Sequence, residues 1–393
     1  MTAGSIGLFT YSTVPRGSVV HTAHLADALH DAGADVTVYA LDKDGRGFFR
    51  PLRARLRLVP AQPAPPSTFA LVRQRTAELG AYLARERPRH DIVHAQDCLT
   101  ASALVEHLGH AGAPPLVRTV HHVEQFASPA LAACQERSIR RAAMCLAVSA
   151  AAARDVLATF DIACRRVTNG VAFGRFARPD PARVAAWRHR LGAGDAPILL
   201  AVGGVEERKN TAAVLAAFAE LAGRWPRARL VILGGATVLD HGAYRAGFDR
   251  VLAGLPAAVR ANVVELGVVG EDDVPAVFAA SSILVFASLH EGFGLAALEA
   301  LAAGLPVVVS DRPPMTEFLD DRCAVLVDPR SPASIAHGIE RALAGRASAD
   351  PTALATAAAR RAEGLRRAAQ QSWQRVAALH LDHYAHLALT QHA

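Results

Sequence analysis

The feature that most constrains this chain is a repeated alternation of short, mostly apolar runs with longer amphipathic stretches. Ile6-Gly7-Leu8-Phe9-Thr10-Tyr11 is followed by the loop Pro15-Arg16-Gly17-Ser18. An amphipathic stretch with Leu25, Ala28 and Leu29 at core spacing then closes at Gly33 and leads into Asp35 to Leu41. Strand, loop, helix, strand is the order of a βαβ unit, whose parallel strands are buried on both faces and read as continuous apolar runs. Asp91 to Ala95 and Leu116 to Val120 continue the series, and the residues from Pro60 to Pro66 read as a proline-rich loop. The alternation restarts in the second half, with strands expected at Pro197 to Val202, Arg229 to Leu233, Val263 to Leu266, Ile283 to Phe286, Pro306 to Val309 and Ala324 to Val327.

A chain of 393 residues is too long for one ordinary core and suits two domains of this kind. We expect an α/β protein of two Rossmann-like, doubly wound domains, residues 1–176 and 177–370, meeting in the segment from Phe173 to Pro181. The stretch from Ala353 to Ala393 reads as helical, and its end, from about residue 371, is expected to return to the first domain. Ligands of open parallel sheets bind beyond the carboxyl ends of the strands, so two facing sheets predict an interdomain cleft.

Composition narrows the function. An apolar fraction of 51% with 20% charged residues excludes global disorder. No apolar run approaches the roughly 18 residues of a membrane span, and the first residues lack a basic n-region, so a cytoplasmic protein is expected. The five cysteines are scattered and never form a CxxC pair, which argues against a structural zinc or a disulfide framework. A net charge of +6, spread along the chain, suits a phosphate-bearing substrate. It leaves room for weak peripheral contact with an anionic membrane and gives no sign of a nucleic-acid partner. Only two of the basic residues are lysines, Lys43 and Lys209, so Lys209 stands out.

The strongest constellation is His290-Glu291-Gly292-Phe293-Gly294-Leu295, followed by Leu298-Glu299-Ala300 and Gly304-Leu305-Pro306. The chain leaves a buried strand at Phe286. Gly292 and Gly294 let the backbone approach a ligand. A helix starting near Gly294 turns free N–H groups towards it and favours phosphate. Glu291 sits at the mouth and Glu299 about 12 Å further along by axial rise. Two carboxylates so placed can grip hydroxyls at opposite ends of an extended molecule. The same residues also suit an ordinary helix with acidic groups near its start.

This segment resembles the E-x7-E signature of retaining glycosyltransferase family 4, with Glu291 and Glu299 as its carboxylates. Asn169-Gly170-Val171 with Phe176 resembles the family's hinge segment, although Ala172 stands where an aspartate is usual. Leu266-Gly267-Val268-Val269 with Glu271-Asp272-Asp273 resembles its base-binding loop, and Ser310-Asp311 with Glu317 the element after the signature. The resemblance implies the GT-B fold and retaining transfer from a nucleotide-diphosphate sugar, without cofactor or metal, to an acceptor it does not identify. Glu291 and His121 would then act on the donor sugar, with His122 the alternative to His121, and Lys209 on the leaving diphosphate. Gly17, Arg208, Val268, Val269, Phe293, Gly294, Leu295 and Glu299 would bind the donor, and Arg16, Ser18 and Asp97 would face the acceptor. The family pattern carries an arginine where this chain has Gly204, which leaves one diphosphate clamp unaccounted for.

Asp42-Lys43-Asp44 is formally a DxD but reads as a surface turn, and no metal is expected. An oxidoreductase is disfavoured because no GxGxxG follows the first strand. A catalytically silent sugar-nucleotide binder and a non-hydrolysing sugar-nucleotide epimerase remain open alternatives.

Overall fold

The computed structural model describes residues 4–108, 112–235, 242–347 and 350–391, which fall into two compact units, Met1–Gly170 with Trp373–Ala393 and Val171–Ser372. In the first unit the order is β1 (Ser5–Thr10), α1 (Gly17–Asp31), β2 (Asp35–Asp42), β3 (Arg55–Pro60), α2 (Thr68–Glu86), β4 (Ile92–Ala95), α3 (Cys98–His107), β5 (Leu116–Val120), α4 (Pro129–Arg140), β6 (Met144–Ala147), α5 (Ala150–Phe160) and β7 (Arg165–Arg166). These strands form one parallel sheet in the order β3-β2-β1-β4-β5-β6-β7.

The second unit runs α6 (Phe173–Ala177), α7 (Pro181–Arg190), β8 (Ile198–Val202), α8 (Thr211–Glu220), β9 (Arg229–Leu233), α9 (Gly242–Gly254), α10 (Ala257–Arg260), β10 (Val263–Gly267), α11 (Val274–Ala280), β11 (Ile283–Phe286), α12 (Leu295–Ala302), β12 (Val307–Ser310), β13 (Val325–Val327), α13 (Pro332–Ala347) and α14 (Pro351–Gln370). Its sheet is also parallel, in the order β10-β9-β8-β11-β12-β13. The chain ends in α15 (Trp373–Gln391), which belongs to the first unit.

The central strands are short, buried and mostly aliphatic, although β4 carries His94 and β5 carries Arg118 and Thr119. In β11 all four residues are buried, and Leu284 pairs with Leu200 of β8 on one side and Val307 of β12 on the other. Each such side chain taken from water contributes about 1.5–3 kcal/mol. One core of the second unit gathers Leu199, Leu215, Phe218, Phe248, Val285, Val308 and Ile339. In the first unit Phe9, Tyr39, Leu79, Leu83, Val93 and Leu104 play that part.

Three strands were not expected. In β3, Arg55-Leu56-Arg57-Leu58 alternates charged and apolar residues because it is an edge strand, exposed on one side. The strands β6 and β7 are only four and two residues long. The helical tail is broken at Gln371 and Ser372, where Val171 N–H donates to Gln371 O at 2.8 Å. Among the described residues no helix is long and apolar enough to cross a membrane.

Candidate functional site

In both sheets the strand order reverses beside the first strand of the unit, between β1 and β4 and between β8 and β11. The carboxyl ends of such strand pairs are where doubly wound sheets bind ligands, because the loops diverge there and leave backbone groups free.

In the second unit the loop after β8 and the segment leaving β11 are tied together. Asn210, at φ 58°, donates from Nδ2 to Ala287 O at 3.0 Å and to Pro329 O at 2.6 Å. Leu289 N–H donates to Arg208 O at 2.8 Å. This brings Lys209 Nζ to 2.6 Å from Glu291 Oε1, with both side chains nearly buried at 13% and 9% exposure. Arg208 Nη1 lies 3.5 Å from the other Glu291 oxygen, and its Nε lies 3.2 Å from Glu206 Oε2. Phe286 floors the pair, its ring centroid 4.7 Å from Lys209 Nζ.

Burial pushes the Lys209 ammonium down and Arg208 adds to that, while Glu291 opposes them. Burial pushes the Glu291 carboxyl up, but Lys209 and Arg208, with the hydrogen bond from Lys209, outweigh it and leave it below its ordinary value. Each group thus favours the charged form of the other in a site poor in water. That is the condition under which a fixed cation interacts strongly with developing negative charge.

Gly204 occupies φ 74°, and a Cβ built there would lie 3.0 Å from Gly235 O. An arginine in this position would need a left-handed backbone and displacement of a carbonyl. Arg208 instead brings a guanidinium to the same carboxylate as the Lys209 ammonium.

Gly294, at φ 104°, precedes α12, with Leu295 as its first helical residue. Phe293 stacks on Phe318 with centroids 4.8 Å apart. Glu299 is half-buried and forms no ion pair among the described residues. Burial, then Glu271, push its carboxyl up to about 8 against the opposing pull of Arg175. Arg175 is itself taken up by the carboxylate and backbone carbonyl of Glu271. Beyond β10, Val268 is exposed and Val269 half-buried.

In the first unit His121 Nε2 lies 3.1 Å from Gln96 Oε1, and its ring meets that of His21 edge-on at 4.9 Å. Burial holds the His121 imidazole well below its ordinary pKa, so it is neutral. His21 hydrogen-bonds Asn169 Oδ1 at 2.7 Å, and His94 bonds Tyr384 Oη at 2.6 Å and Thr119 Oγ1 at 2.7 Å. His122 instead pairs with Glu124 at 2.7 Å near the surface.

Arg16 precedes α1 and donates from Nη1 to Tyr11 Oη at 2.9 Å. Gly17 opens that helix, and Ser18 O accepts a bond from Thr22 Oγ1. Asp97 has both oxygens engaged by backbone N–H groups, Thr100 at 2.8 Å as the cap of α3 and Tyr11 at 2.9 Å. Within the DxD turn, Asp42 and Asp44 accept N–H bonds from Gly45 and Arg46.

Sequence reasoning passed over Asn210, Arg175, Tyr11 and His21. An asparagine at a loop-to-helix junction is a legible left-handed signal. The Arg175–Glu271 pair has none, since its members are far apart in the chain.

The model of the family described as "Glycosyl transferases group 1" matches residues 185–361, and that of "Glycosyltransferase Family 4" matches residues 15–175. The D-inositol 3-phosphate glycosyltransferase of Nocardioides sp. is 30% identical over 330 residues, covering 78% of this chain and 69% of its own. An uncharacterized glycosyltransferase of Methanocaldococcus jannaschii is 27% identical, over 65% of this chain and 66% of its own, so the chain spans about two thirds of the length of these relatives. Among solved structures, Anabaena HepE in complex with UDP and glucose superposes with a TM-score of 0.75 at 18% identity, covering 97% and 99% of the two chains. Sucrose-phosphate synthase from Thermosynechococcus elongatus does so at 0.78 and 21%, covering 98% of each. This chain has the GT-B fold and belongs to glycosyltransferase family 4, the configuration-retaining, nucleotide-sugar-dependent enzymes of glycosyl transferases group 1.

Proposed function

We propose that this protein transfers a sugar from a nucleoside-diphosphate sugar to an acceptor with retention of anomeric configuration, and that its second unit holds the donor. The observation that carries the reading is the buried Lys209–Glu291 pair at the reversal point of the second sheet, with Arg208 on the same carboxylate. Breaking the anomeric C–O bond leaves negative charge on the diphosphate and oxocarbenium character on the sugar. Lys209 and Arg208 neutralise the first, together with the N–H groups at the start of α12. Glu291 accepts hydrogen bonds from sugar hydroxyls and keeps Lys209 in place between turnovers. Glu299 accepts from the ribose, and the backbone at Val268 and Val269 meets the base. On the first unit, His121, neutral and oriented by Gln96, is a second candidate for contact with a sugar.

None of these groups is a base aimed at the acceptor from the far face, which an inverting reaction would require. HepE was solved with UDP and glucose, and that agrees with a nucleoside-diphosphate sugar here. The test is incubation with a panel of nucleotide sugars and acceptors, followed by NMR assignment of the product anomer. A product with the donor's configuration is expected, and an inverted one overturns the reading.

A further inference from the structure

Strand pleating brings four polar side chains of the first unit onto one face of its sheet. His94 in β4 and Gln96 just beyond it stand two residues apart, as do Thr119 in β5 and His121 just beyond that strand. The pairing of Ala95 with Arg118 sets Gln96 beside Thr119, and Gln96 N–H is fixed by donating to Phe9 O at 3.0 Å. Onto this face α15 lays Tyr384. His94, Gln96, Thr119 and Tyr384 are buried, whereas His121 is half-buried and forms the open end of the row. Four short contacts join the groups. His94 Nδ1 lies 2.6 Å from Tyr384 Oη, and His94 Nε2 lies 2.7 Å from Thr119 Oγ1 and 3.2 Å from Gln96 Nε2. The other end of the amide, Gln96 Oε1, lies 3.1 Å from His121 Nε2.

The chemistry of these groups gives the row a direction. Burial holds both imidazoles neutral, so each carries one hydrogen. An amide oxygen only accepts, so His121 bears its hydrogen on Nε2, and among the described residues its Nδ1 has no hydrogen-bond partner. An amide NH2 only donates, so His94 Nε2 is bare, its hydrogen lies on Nδ1 and Tyr384 Oη accepts it. The Thr119 hydroxyl can turn its hydrogen to the same bare nitrogen. The neighbouring rings do not compete, since His21 spends its Nδ1–H on Asn169 Oδ1 and His380 spends its own on Val376 O at 2.8 Å. The opposite direction is available to the same atoms. With the His94 hydrogen on Nε2, Thr119 Oγ1 would accept it, Gln96 would turn over and donate to His121 Nε2, and the His121 hydrogen would move to Nδ1. Tyr384, by accepting from His94 Nδ1, selects the first direction over the second.

We propose that Tyr384 of the last helix is a positioning residue for the reaction: through His94 and Gln96 it fixes the hydrogen of His121 on Nε2, so that Nδ1 meets a sugar as the acceptor of a hydroxyl hydrogen. A hydroxyl can donate to a bare nitrogen, and the other tautomer would present an N–H in its place. The consequence for turnover rests on the reading of His121 as a contact for a sugar; the control of its tautomer does not.

The experiment is NMR of the full chain labelled with 15N in its histidine rings, where a nitrogen bearing hydrogen and a bare one resonate far apart. The His121 signals are identified by their loss in His121→Asn. Wild type should show the Nε2–H tautomer of His121. Tyr384→Phe, which removes one oxygen, should move His121 towards Nδ1–H and leave the rings of His122 and His189 unchanged. Gln96→Leu cuts the row, so it should abolish the Nε2–H preference and make His121 indifferent to Tyr384→Phe. Turnover in Tyr384→Phe should fall roughly five- to tenfold, the scale of one neutral hydrogen bond. Nucleoside-diphosphate affinity, measured by isothermal titration, should stay at the wild-type value. His121 found as Nδ1–H in wild type overturns the proposal, as does a His121 tautomer unmoved by Tyr384→Phe. If that variant does not fold, a wild-type tautomer persisting in Gln96→Leu overturns it equally. A moved tautomer with wild-type turnover overturns the link to the sugar. Because the tautomer is read without substrate, an inverted product would sink the transferase reading alone and leave this result standing.

Discussion

Replacing Lys209 with alanine removes the cation 2.6 Å from Glu291 and takes away the proposed neutralising charge on the departing diphosphate. Losing one preorganised contact of this kind costs about 2.7–4 kcal/mol in the transition state, which lowers turnover roughly 10²- to 10³-fold. The same substitution leaves Glu291 buried with only Arg208, at 3.5 Å, to face it. Breaking a buried pair by removing one partner costs about 3–5 kcal/mol of stability. Here the loss should lie at the lower end, because Arg208 remains and the carboxyl can take up a proton. The two effects separate in the double variant Lys209→Met/Glu291→Gln, which leaves no uncompensated charge. Its melting temperature should recover most of the loss, while turnover stays at or below that of Lys209→Ala. The assay is release of nucleoside diphosphate at saturating donor, with melting followed on the same preparations. Turnover within threefold of wild type in a folded Lys209→Ala protein refutes the assignment. Turnover restored by the double variant would show that Lys209 matters only for folding.

Gly204→Arg should lower the melting temperature and leave turnover no higher than wild type, because the position needs φ 74° and lies against Gly235 O; a gain in turnover would refute the steric argument. Glu291→Ala should reduce turnover more than Glu299→Ala, whose effect should fall on nucleotide affinity in isothermal titration; the reverse order would exchange their roles. At pH 8.5 Glu299→Gln should also raise the melting temperature of the free protein, since the buried carboxyl resists ionisation up to about 8. Acid should destabilise the first unit. Burial lowers His21 to about 4 and His380 to about 3, and holds His94 well below its ordinary value, so the unfolded chain takes up protons first as pH falls through 6.5. Each neutral ring then removes about 1.4 kcal/mol per pH unit, and Glu299 works in the opposite direction. A melting temperature that stays flat between pH 7 and pH 5 would show that these rings are not held neutral.

The sequence alone determined the α/β class, most of the strands and the segments that carry the second unit's site. A central parallel strand is buried on both faces and reads as a short, mostly aliphatic run, so Leu116–Val120, Arg229–Leu233 and Ile283–Phe286 could be read to the residue despite Arg118, Thr119 and Arg229. The glycines around Phe293 and the carboxylates at 291 and 299 were legible because a loop-to-helix ligand site needs them close together in the chain. Edge strands escaped, since β3 pairs on one side only and is free to carry charge, and β7 is too short to show a pattern. Tertiary structure alone decided which charges meet. Lys43 read as part of a surface turn until Tyr11 and Arg16 were seen beside it, and Asp97 proved to cap α3 with both oxygens occupied. Arg208 and Lys209 are adjacent in sequence, but their convergence on Glu291 depends on β8 and β11 pairing across more than 80 intervening residues. Burial, which disfavours the charges of Lys209 and Glu291 that their pairing sustains and keeps His21 neutral, is a property of the assembled core. No local pattern encodes it, because the atoms that exclude water come from distant parts of the chain.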